Sequence, residues 1–401
     1  VVPGNAGTAM DAVNVDLDLD DYAAMVRYAK ANDVGLTVVG PEVPLAEGIV
    51  DVFESEGLKI FGPARPAAQL EASKVFCKEI LNAGNVPTAD YWSFRDADAA
   101  IEMINDRFPG DAPNTACPVV VKADGLAAGK GVIVCNKKHE VLEAIEMTAR
   151  DKVFGEAGAE FIIEEKLEGE EASILAITDG QTIVPLPACQ DHKPAYDGDT
   201  GPNTGGMGAY SPAPIITKQL EKKIINKIVK PTLLALKVRR KPYKGFLYVG
   251  LMIKDNEPYL IEYNVRMGDP ECQTILPRLK TDLIDIFLAC CEKELKEINI
   301  EWKNEKSLCV VLCSNGYPDA FKKNIQINNL NSISLSLDNY MFHAGTIKKD
   351  EKILAVGGRV LNFVSLSNDF KIARKNVEEN LTKLNWTGGF FRKDIGYKVI
   401  E

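Results

Sequence analysis

The sequence predicts a multidomain protein of mixed α/β and α+β class, and three observations carry that expectation. At 401 residues the chain exceeds a single ordinary core and calls for about two to four domains. Its opening third alternates strand and helix patterns between Gly-Pro turns, whereas its middle third carries short apolar strands with tight returns. Beyond about residue 300 the composition shifts toward Lys, Asn, Ile and Ser, which marks a separate C-terminal domain.

In chain order, residues 35–40 read as a buried strand, residues 45–56 as an amphipathic helix and residues 58–61 as a second strand, with a Gly-Pro turn after each strand. That pitch implies a right-handed crossover and a parallel sheet. Residues 69–83 predict a helix closed by Gly84, with Pro87 beyond it. Strands follow at 118–123, 131–135, 161–164, 171–178 and 182–187, spaced as an antiparallel region. The last domain carries strands near 309–313 and 358–361, and no internal repeat or low-complexity linker interrupts the chain.

Composition narrows the function. Hydrophobic residues at 46% and charged residues at 26% are the balance of a soluble globular protein. No apolar run approaches the roughly 20 residues of a membrane-crossing helix. A net charge of −10 without a basic tract argues against nucleic acid as a partner. Nine cysteines without a Cys-x-x-Cys pair, and three histidines, argue against a disulfide framework or a zinc site and fit a reducing cytoplasm. The chain opens at Val1 with neither a basic nor an apolar leader segment, so a processed or incomplete start is expected.

Four segments carry chemistry. The first, Lys122-Ala-Asp-Gly-Leu-Ala-Ala-Gly-Lys-Gly131, is a glycine loop with lysines at both ends, including Gly129, Lys130 and Gly131. Glycines let backbone N–H groups approach a polyphosphate and lysines supply charge. It is not a P-loop: the glycine spacing is one residue short, and Gly131 stands where a Ser or Thr would bind metal. The other reading is a long hairpin with a glycine turn. The second segment, Glu164-Glu-Lys-Leu-Glu-Gly-Glu-Glu171, leaves a buried strand. It can offer backbone groups to an adenine edge and a carboxylate to ribose hydroxyls, or be a solvated acidic turn.

The third runs from Asp191-His-Lys193 through Asp199-Thr-Gly-Pro-Asn-Thr-Gly-Gly-Met-Gly208 and reads as a structured loop without regular hydrogen bonding. Such loops are commonly functional, though an ordinary surface loop fits too. In the fourth, Leu260-Ile-Glu-Tyr-Asn-Val-Arg266, strand periodicity puts Glu262, Asn264 and Arg266 on one face and Ile261, Tyr263 and Val265 on the other. Glu262 and Asn264 are hard oxygen ligands suited to Mg²⁺, and Arg266 suits charge developing in phosphoryl transfer. A half-buried strand with salt bridges would show the same alternation.

The order and spacing of these segments resemble the ATP-grasp superfamily. Within it, the strings at 121–134, 168–173, 190–193, 199–214 and 245–248 are similar to those of the phosphoribosylamine–glycine ligase family. So are Phe342-His-Ala-Gly-Thr346, Gly357-Gly-Arg-Val360 and Arg392-Lys-Asp-Ile-Gly396. The resemblance covers essentially the whole chain. It implies an N-terminal Rossmann-like domain over 1–72, a lid subdomain with the glycine loop over 73–163, a catalytic subdomain over 164–301 and a small β-rich C-terminal domain over 302–401.

It also implies that ATP and Mg²⁺, or Mn²⁺ in its place, drive ligation of glycine to 5-phosphoribosylamine in a cytoplasmic monomer or weak dimer. Lys74 and Lys122 would hold the phosphates with Gly129, Lys130 and Gly131, while Glu164, Glu165, Leu167 and Glu171 would cradle adenine and ribose. Glu262 and Asn264 would bind the metal, with Arg266, Lys122 and Asp191 as catalytic groups. Asn5, Gly7, Asp191, Lys193, Thr204, Gly205, Gly206, Gly268, Asp269, Pro270 and Glu271 would face glycine and the ribose phosphate. Members of the family open with a strand and a Gly-Gly-Arg-Glu-His-type loop, whereas this sequence enters about one β-α-β unit later, so a preceding segment is expected. Two rivals stand: an ATP-grasp ligase for another carboxylate, and a nucleotide-binding module without ligase activity.

Overall fold

The computed structural model describes residues 1–110, 112–126, 131–333 and 335–400. Near the N-terminus, strands Thr37–Val38 and Ile60–Phe61 pair in parallel, as the strand–helix–strand pitch requires. The helix expected between them is two helices, Glu42–Glu47 and Ile49–Ser55, broken at Gly48, which takes φ +102°. The first strand is not the buried one expected. Val38 is 47% exposed, while its neighbours Ile60 and Phe61 are covered on both faces.

The predicted helix over 69–83 is likewise two, Arg65–Ala72 and Lys74–Gly84. Ser73 between them is extended, and its Oγ accepts from the Phe76 N–H at 2.9 Å, so the serine starts a new helix instead of continuing the old one. The stop is Asn85 in a left-handed conformation rather than Gly84.

These helices share a core with a four-stranded antiparallel sheet, ordered Glu257–Asn264, Gly245–Lys254, Glu170–Thr178, Ile183–Pro185. Leu45, Ile80, Ile224, Leu247 and Tyr263 meet there. A second four-stranded antiparallel sheet, the lid sheet, is ordered Tyr91–Phe94, Phe161–Glu165, Ala116–Ala123, Val132–Lys137. It has its own core of Val119, Val121 and Phe161 under the helices Ala97–Arg107 and Lys138–Ile145. The expected boundary at 163/164 falls inside the strand Phe161–Glu165, which has lid strands on both sides.

The C-terminal sheet is ordered Asn339–His343, Arg359–Ser367, Lys306–Ser314, Gly208–Ser211, Gln190–Asp191, with Gly389–Phe390 on one end of Lys306–Ser314. Two of its strands therefore come from the middle of the chain, and the C-terminal domain is not built from residues beyond 300 alone. Gly208–Ser211 is buried throughout, and its backbone groups are paired by residues Ser307 to Val310. The segment 191–208, expected to lack regular hydrogen bonding, contains an antiparallel hairpin of Pro194–Tyr196 and Thr200–Asn203. Among the described residues no helix is long and apolar enough to cross a membrane.

Candidate active site between the lid and the central sheet

Lys122 projects from the lid strand Ala116–Ala123 toward the central sheet, its Nζ 2.8 Å from Glu164 Oε2 and 3.3 Å from the Ile261 carbonyl. Lys78 approaches the other oxygen of Glu164 at 3.2 Å and also donates to Thr88 Oγ1 and the Ala89 carbonyl. All three charges are buried. Burial alone would raise the Glu164 carboxyl, but Lys122 and Lys78 outweigh it and hold it below its ordinary value. The same pairing outweighs burial at Lys122 and holds its ammonium above the ordinary lysine range.

The Glu164 carboxylate is turned onto two lysines and gives these buried ammonium groups their counter-charge. Glu165 pairs with Arg107, Leu167 follows as the chain leaves the strand, and the exposed Glu171 stands 3.6 Å from Lys193 Nζ.

The glycine loop is anchored at the start of the helix Lys74–Gly84. Asp124 Oδ1 accepts from the Val75 N–H at 2.7 Å and from Ser73 Oγ at 3.1 Å, and the Asp124 carbonyl accepts from the Lys74 N–H. Lys74 Nζ donates to the Gly125 carbonyl at 2.8 Å. Burial pulls the Lys74 ammonium below its ordinary value, with Glu262 and Asp124 offsetting part of that. At the far side of the loop, Gly131 accepts from the Ala123 N–H. Gly129 and Lys130 lie outside the described residues.

On the central sheet the expected alternation is broken. Glu262 pairs with Gly250 and Leu260 with Leu251, so Ile261 is a bulge residue without a cross-strand partner. The bulge turns the Ile261 carbonyl to Lys122 and sets Ile261 and Glu262 on the same cleft, where strict period-2 geometry would have opposed them. Tyr263 points into the core as expected, its hydroxyl 2.7 Å from Thr232 Oγ1. The Asn264 amide nitrogen, in the orientation its neighbours favour, reaches Glu71 Oε1 and the Tyr263 carbonyl at 3.2 Å.

Arg266 is held by Glu71 at 2.8 Å and Glu42 at 3.2 Å. Glu71 also accepts from the Val265 N–H, and burial, partly countered by Arg266, pushes its carboxyl up to about 7. Among the described residues no cluster of three His, Cys, Asp or Glu forms a metal cage. A carboxylate and an amide oxygen fit a hard cation that takes its remaining ligands from water and phosphates.

Asp191, Lys193 and Tyr248 line the same cleft as Glu262. Burial raises the Asp191 carboxyl despite Lys193, and burial together with Asp191 pushes Glu271 up to about 8. The Lys193 carbonyl accepts from both the N–H and the Oγ1 of Thr204, and Thr204 Oγ1 in turn accepts from the Gly206 N–H. Gly206, at φ +117°, lies where a Cβ would come within 2.5 Å of Pro270, and a Cβ on Gly268 would come within 2.3 Å of Glu271. The two glycine segments are therefore seated directly on one another.

Asn5 donates to the His343 and Ala344 carbonyls and accepts from the Gly7 N–H, and a Cβ on Gly7 would meet the His343 ring. This seats the N-terminal segment on the C-terminal domain.

Two opposed antiparallel sheets, with the buried Lys122 of one reaching the Ile261 carbonyl beside Glu262 of the other, define an ATP-grasp enzyme. The chain belongs to the phosphoribosylglycinamide synthetase family, whose N domain matches residues 1–71, ATP-grasp (A) domain residues 72–272 and C domain residues 307–398. It is 49% identical to the phosphoribosylamine–glycine ligase of Rhodopirellula baltica, over 100% of this chain and 91% of that one. It is 44% identical to the chloroplastic phosphoribosylamine–glycine ligase of Arabidopsis thaliana, over 100% of this chain and 75% of that one. The solved phosphoribosylamine–glycine ligase of Thermotoga maritima superimposes with a TM-score of 0.81 at 32% identity, over 98% of this chain and 93% of that one. The biotin carboxylase domain of the Hydrogenobacter thermophilus 2-oxoglutarate carboxylase, solved with MgADP, shares the fold alone, with a TM-score of 0.71 at 15% identity over 94% and 81% of the two chains.

Several residues that build the site were not singled out from sequence. Lys78 had a signal, since it lies one helical turn from Lys74. Glu42 and Glu71, which hold Arg266 from elsewhere in the chain, had none.

Proposed function

We propose that the chain ligates glycine to 5-phosphoribosylamine at the expense of ATP, giving glycinamide ribonucleotide, ADP and phosphate for purine synthesis. The observation that carries this reading is that Glu262, Asp191 and Lys193 line one cleft, while Lys122 of the lid sheet reaches the carbonyl of Ile261 in its wall. A carboxylate oxygen of glycine attacks the γ-phosphorus of ATP, the bond to the β,γ-bridging oxygen breaks, ADP leaves and glycyl phosphate forms. The amine of phosphoribosylamine then attacks the acyl carbon, phosphate leaves and the amide forms. No side-chain nucleophile takes part, so the protein contributes positioning and charge.

Lys74 and Lys122 bind the phosphates from the helix and lid sides, and Arg266, fixed by Glu71 and Glu42, faces the transferring phosphoryl group. Glu262 and Asn264 would hold Mg²⁺, or Mn²⁺ in its place, which would supply charge neutralisation to the phosphates. Asp191 faces a substrate ammonium and Lys193 offers charge to a carboxylate, while Glu271, whose carboxyl is pushed up to about 8, offers a protonated hydrogen-bonding group. The glycine loop and lid sheet exclude water from the acyl phosphate. The protein works as a monomer or weak dimer in the cytoplasm, without nucleic acid.

ADP release, measured with each substrate omitted in turn and with other amino acids in place of glycine, tests the reading. Release that needs both glycine and phosphoribosylamine is expected. Equal rates with another amino acid would favour a ligase for a different carboxylate, and ATP binding without turnover would favour a nucleotide-binding module.

A further inference from the structure

Three segments assigned above to the acceptor substrates come from different parts of the chain: Asn5 to Gly7, Thr204 to Gly206, and Gly268 to Glu271. All converge on one corner of the C-terminal domain. Gly345 and Gly357 are packed so closely that a Cβ on either would meet the other's Cα within 3 Å, and the Gly345 N–H donates to the Arg359 carbonyl. That contact places the His343 to Thr346 turn, which carries the N-terminal segment, against the start of the strand Arg359–Ser367.

The Arg359 guanidinium then reaches out of the domain. Its Nη1 donates to the Gly205 carbonyl at 2.9 Å and to the Asp269 carbonyl, and its Nη2 pairs with Asp269 Oδ2 at 2.8 Å. Tyr317, from the same domain, accepts from the Gly205 N–H at 3.1 Å.

We propose that Arg359 is a positioning residue that sets the register of the two glycine segments and so completes the acceptor-substrate site. One planar fork satisfies two carbonyls and a carboxylate from two loops, which a lysine's point charge cannot do together. The C-terminal sheet does not depend on it, because Val360, Leu361 and Phe363 anchor that strand in a core of their own. The arginine also neutralises Asp269, whose charge bears on Glu271. Without it, an uncompensated carboxylate would stand beside a cleft that must accept glycine's carboxylate and a ribose phosphate.

The inference rests on the ligase reading, and the test separates the two. The parent, Arg359→Ala and Arg359→Lys are compared in melting temperature, ATP affinity, the KM of glycine and of phosphoribosylamine, and hydrogen exchange of peptides spanning 204–206 and 268–271. Arg359→Ala should keep ATP affinity within about twofold and raise both acceptor KM values about tenfold or more, as expected for losing charged hydrogen bonds. Exchange should quicken at the two glycine segments but not in the lid sheet. Arg359→Lys, which retains the charge, should recover only part of the KM loss.

Unchanged KM values in Arg359→Ala, or an equal loss of ATP affinity, would overturn the proposal. If the parent itself shows no glycine-dependent turnover, the ligase reading fails. Exchange then decides this inference alone: unaltered protection of both segments in Arg359→Ala overturns it.

Discussion

The two halves of the site are held by different means. On the side proposed for the nucleotide, charge gathers on one buried carboxylate: Lys122 of the lid sheet and Lys78 of the helix Lys74–Gly84 share Glu164, and all three are buried. On the side proposed for the acceptor substrates, glycine segments are met by side chains reaching across from the C-terminal domain, Arg359 and Arg392. Arg392 is buried and joins the Pro194 carbonyl, Asp199 and Asp394, clasping the hairpin that follows Lys193. A polyphosphate needs concentrated charge, which a sheet can carry locally. A small zwitterion and a sugar phosphate need shape, which glycine loops supply only when something else holds them still.

The comparison breaks most sharply at Glu164. Glu164→Ala leaves two buried lysines without their carboxylate and should cost about 3–5 kcal/mol of stability, the range for breaking a buried ion pair. Chemical denaturation at neutral pH would measure it. Because the folded carboxyl lies below its ordinary value of 4.5, its contribution is complete above that pH and fades as pH falls through the folded value. A cost under 1 kcal/mol at neutral pH would mean that the nucleotide side is not held by this ion triad.

Glu262→Gln comes next. It should leave folding intact and lower turnover about a hundredfold or more, since a metal ligand worth several kcal/mol in the transition state loses its charge. Steady-state rates across a Mg²⁺ titration would check this, and near-parent turnover at ordinary Mg²⁺ would remove Glu262 from the metal site.

Glu271 sharpens the acceptor side through pH. Its carboxyl is pushed from 4.5 up to about 8, so folding favours the protonated form. That contribution is complete below the ordinary value and is lost as pH rises through the folded one. Melting temperatures from acid to mildly alkaline pH should therefore fall less steeply in Glu271→Gln than in the parent. Some slope should remain, because Glu71, raised to about 7, titrates the same way. Parallel curves would show that Glu271 is not held protonated.

The same division decided how much could be read from sequence. Lys122, Glu262 and Asn264 lie in contiguous strings whose residue types suggest phosphate and metal chemistry, Lys74 was expected from the family resemblance alone, and the structure brings Lys122 to the Ile261 carbonyl next to Glu262. The strand pattern of the lid and central sheets was legible too, because period-2 burial is a local property. The bulge at Ile261 was not, since it depends on register against Gly245–Lys254. Nor were the breaks at Gly48 and Ser73, where one backbone conformation splits an otherwise helical pattern. Arg359 stood in a recognisable string, but its role follows only from the distant loops it touches. The two middle-chain strands of the C-terminal sheet were hidden for the same reason: composition marks a domain by sequence position, while strand pairing ignores it.

The smallest effect is expected where the two halves of the nucleotide side join. Asp124 places a carboxylate at the N-terminus of the helix Lys74–Gly84, where unpaired N–H groups and the helix dipole favour negative charge. The same residue opens the glycine loop, so the cap also ties that loop to the helix bearing Lys74. Asp124→Ala should cost about 1 kcal/mol of stability, as loss of an N-terminal cap does. ATP affinity should fall severalfold, because Lys74 and the loop would no longer be fixed to each other. Asp124→Asn keeps an acceptor for the Val75 N–H but removes the charge, so it should lose only the dipole part, about 0.3–1 kcal/mol. Denaturation and calorimetric ATP binding on the three proteins would separate these contributions. If Asp124→Ala matches the parent in both measurements, the glycine loop is held by the lid sheet alone, and the join between helix and loop plays no part in binding the nucleotide.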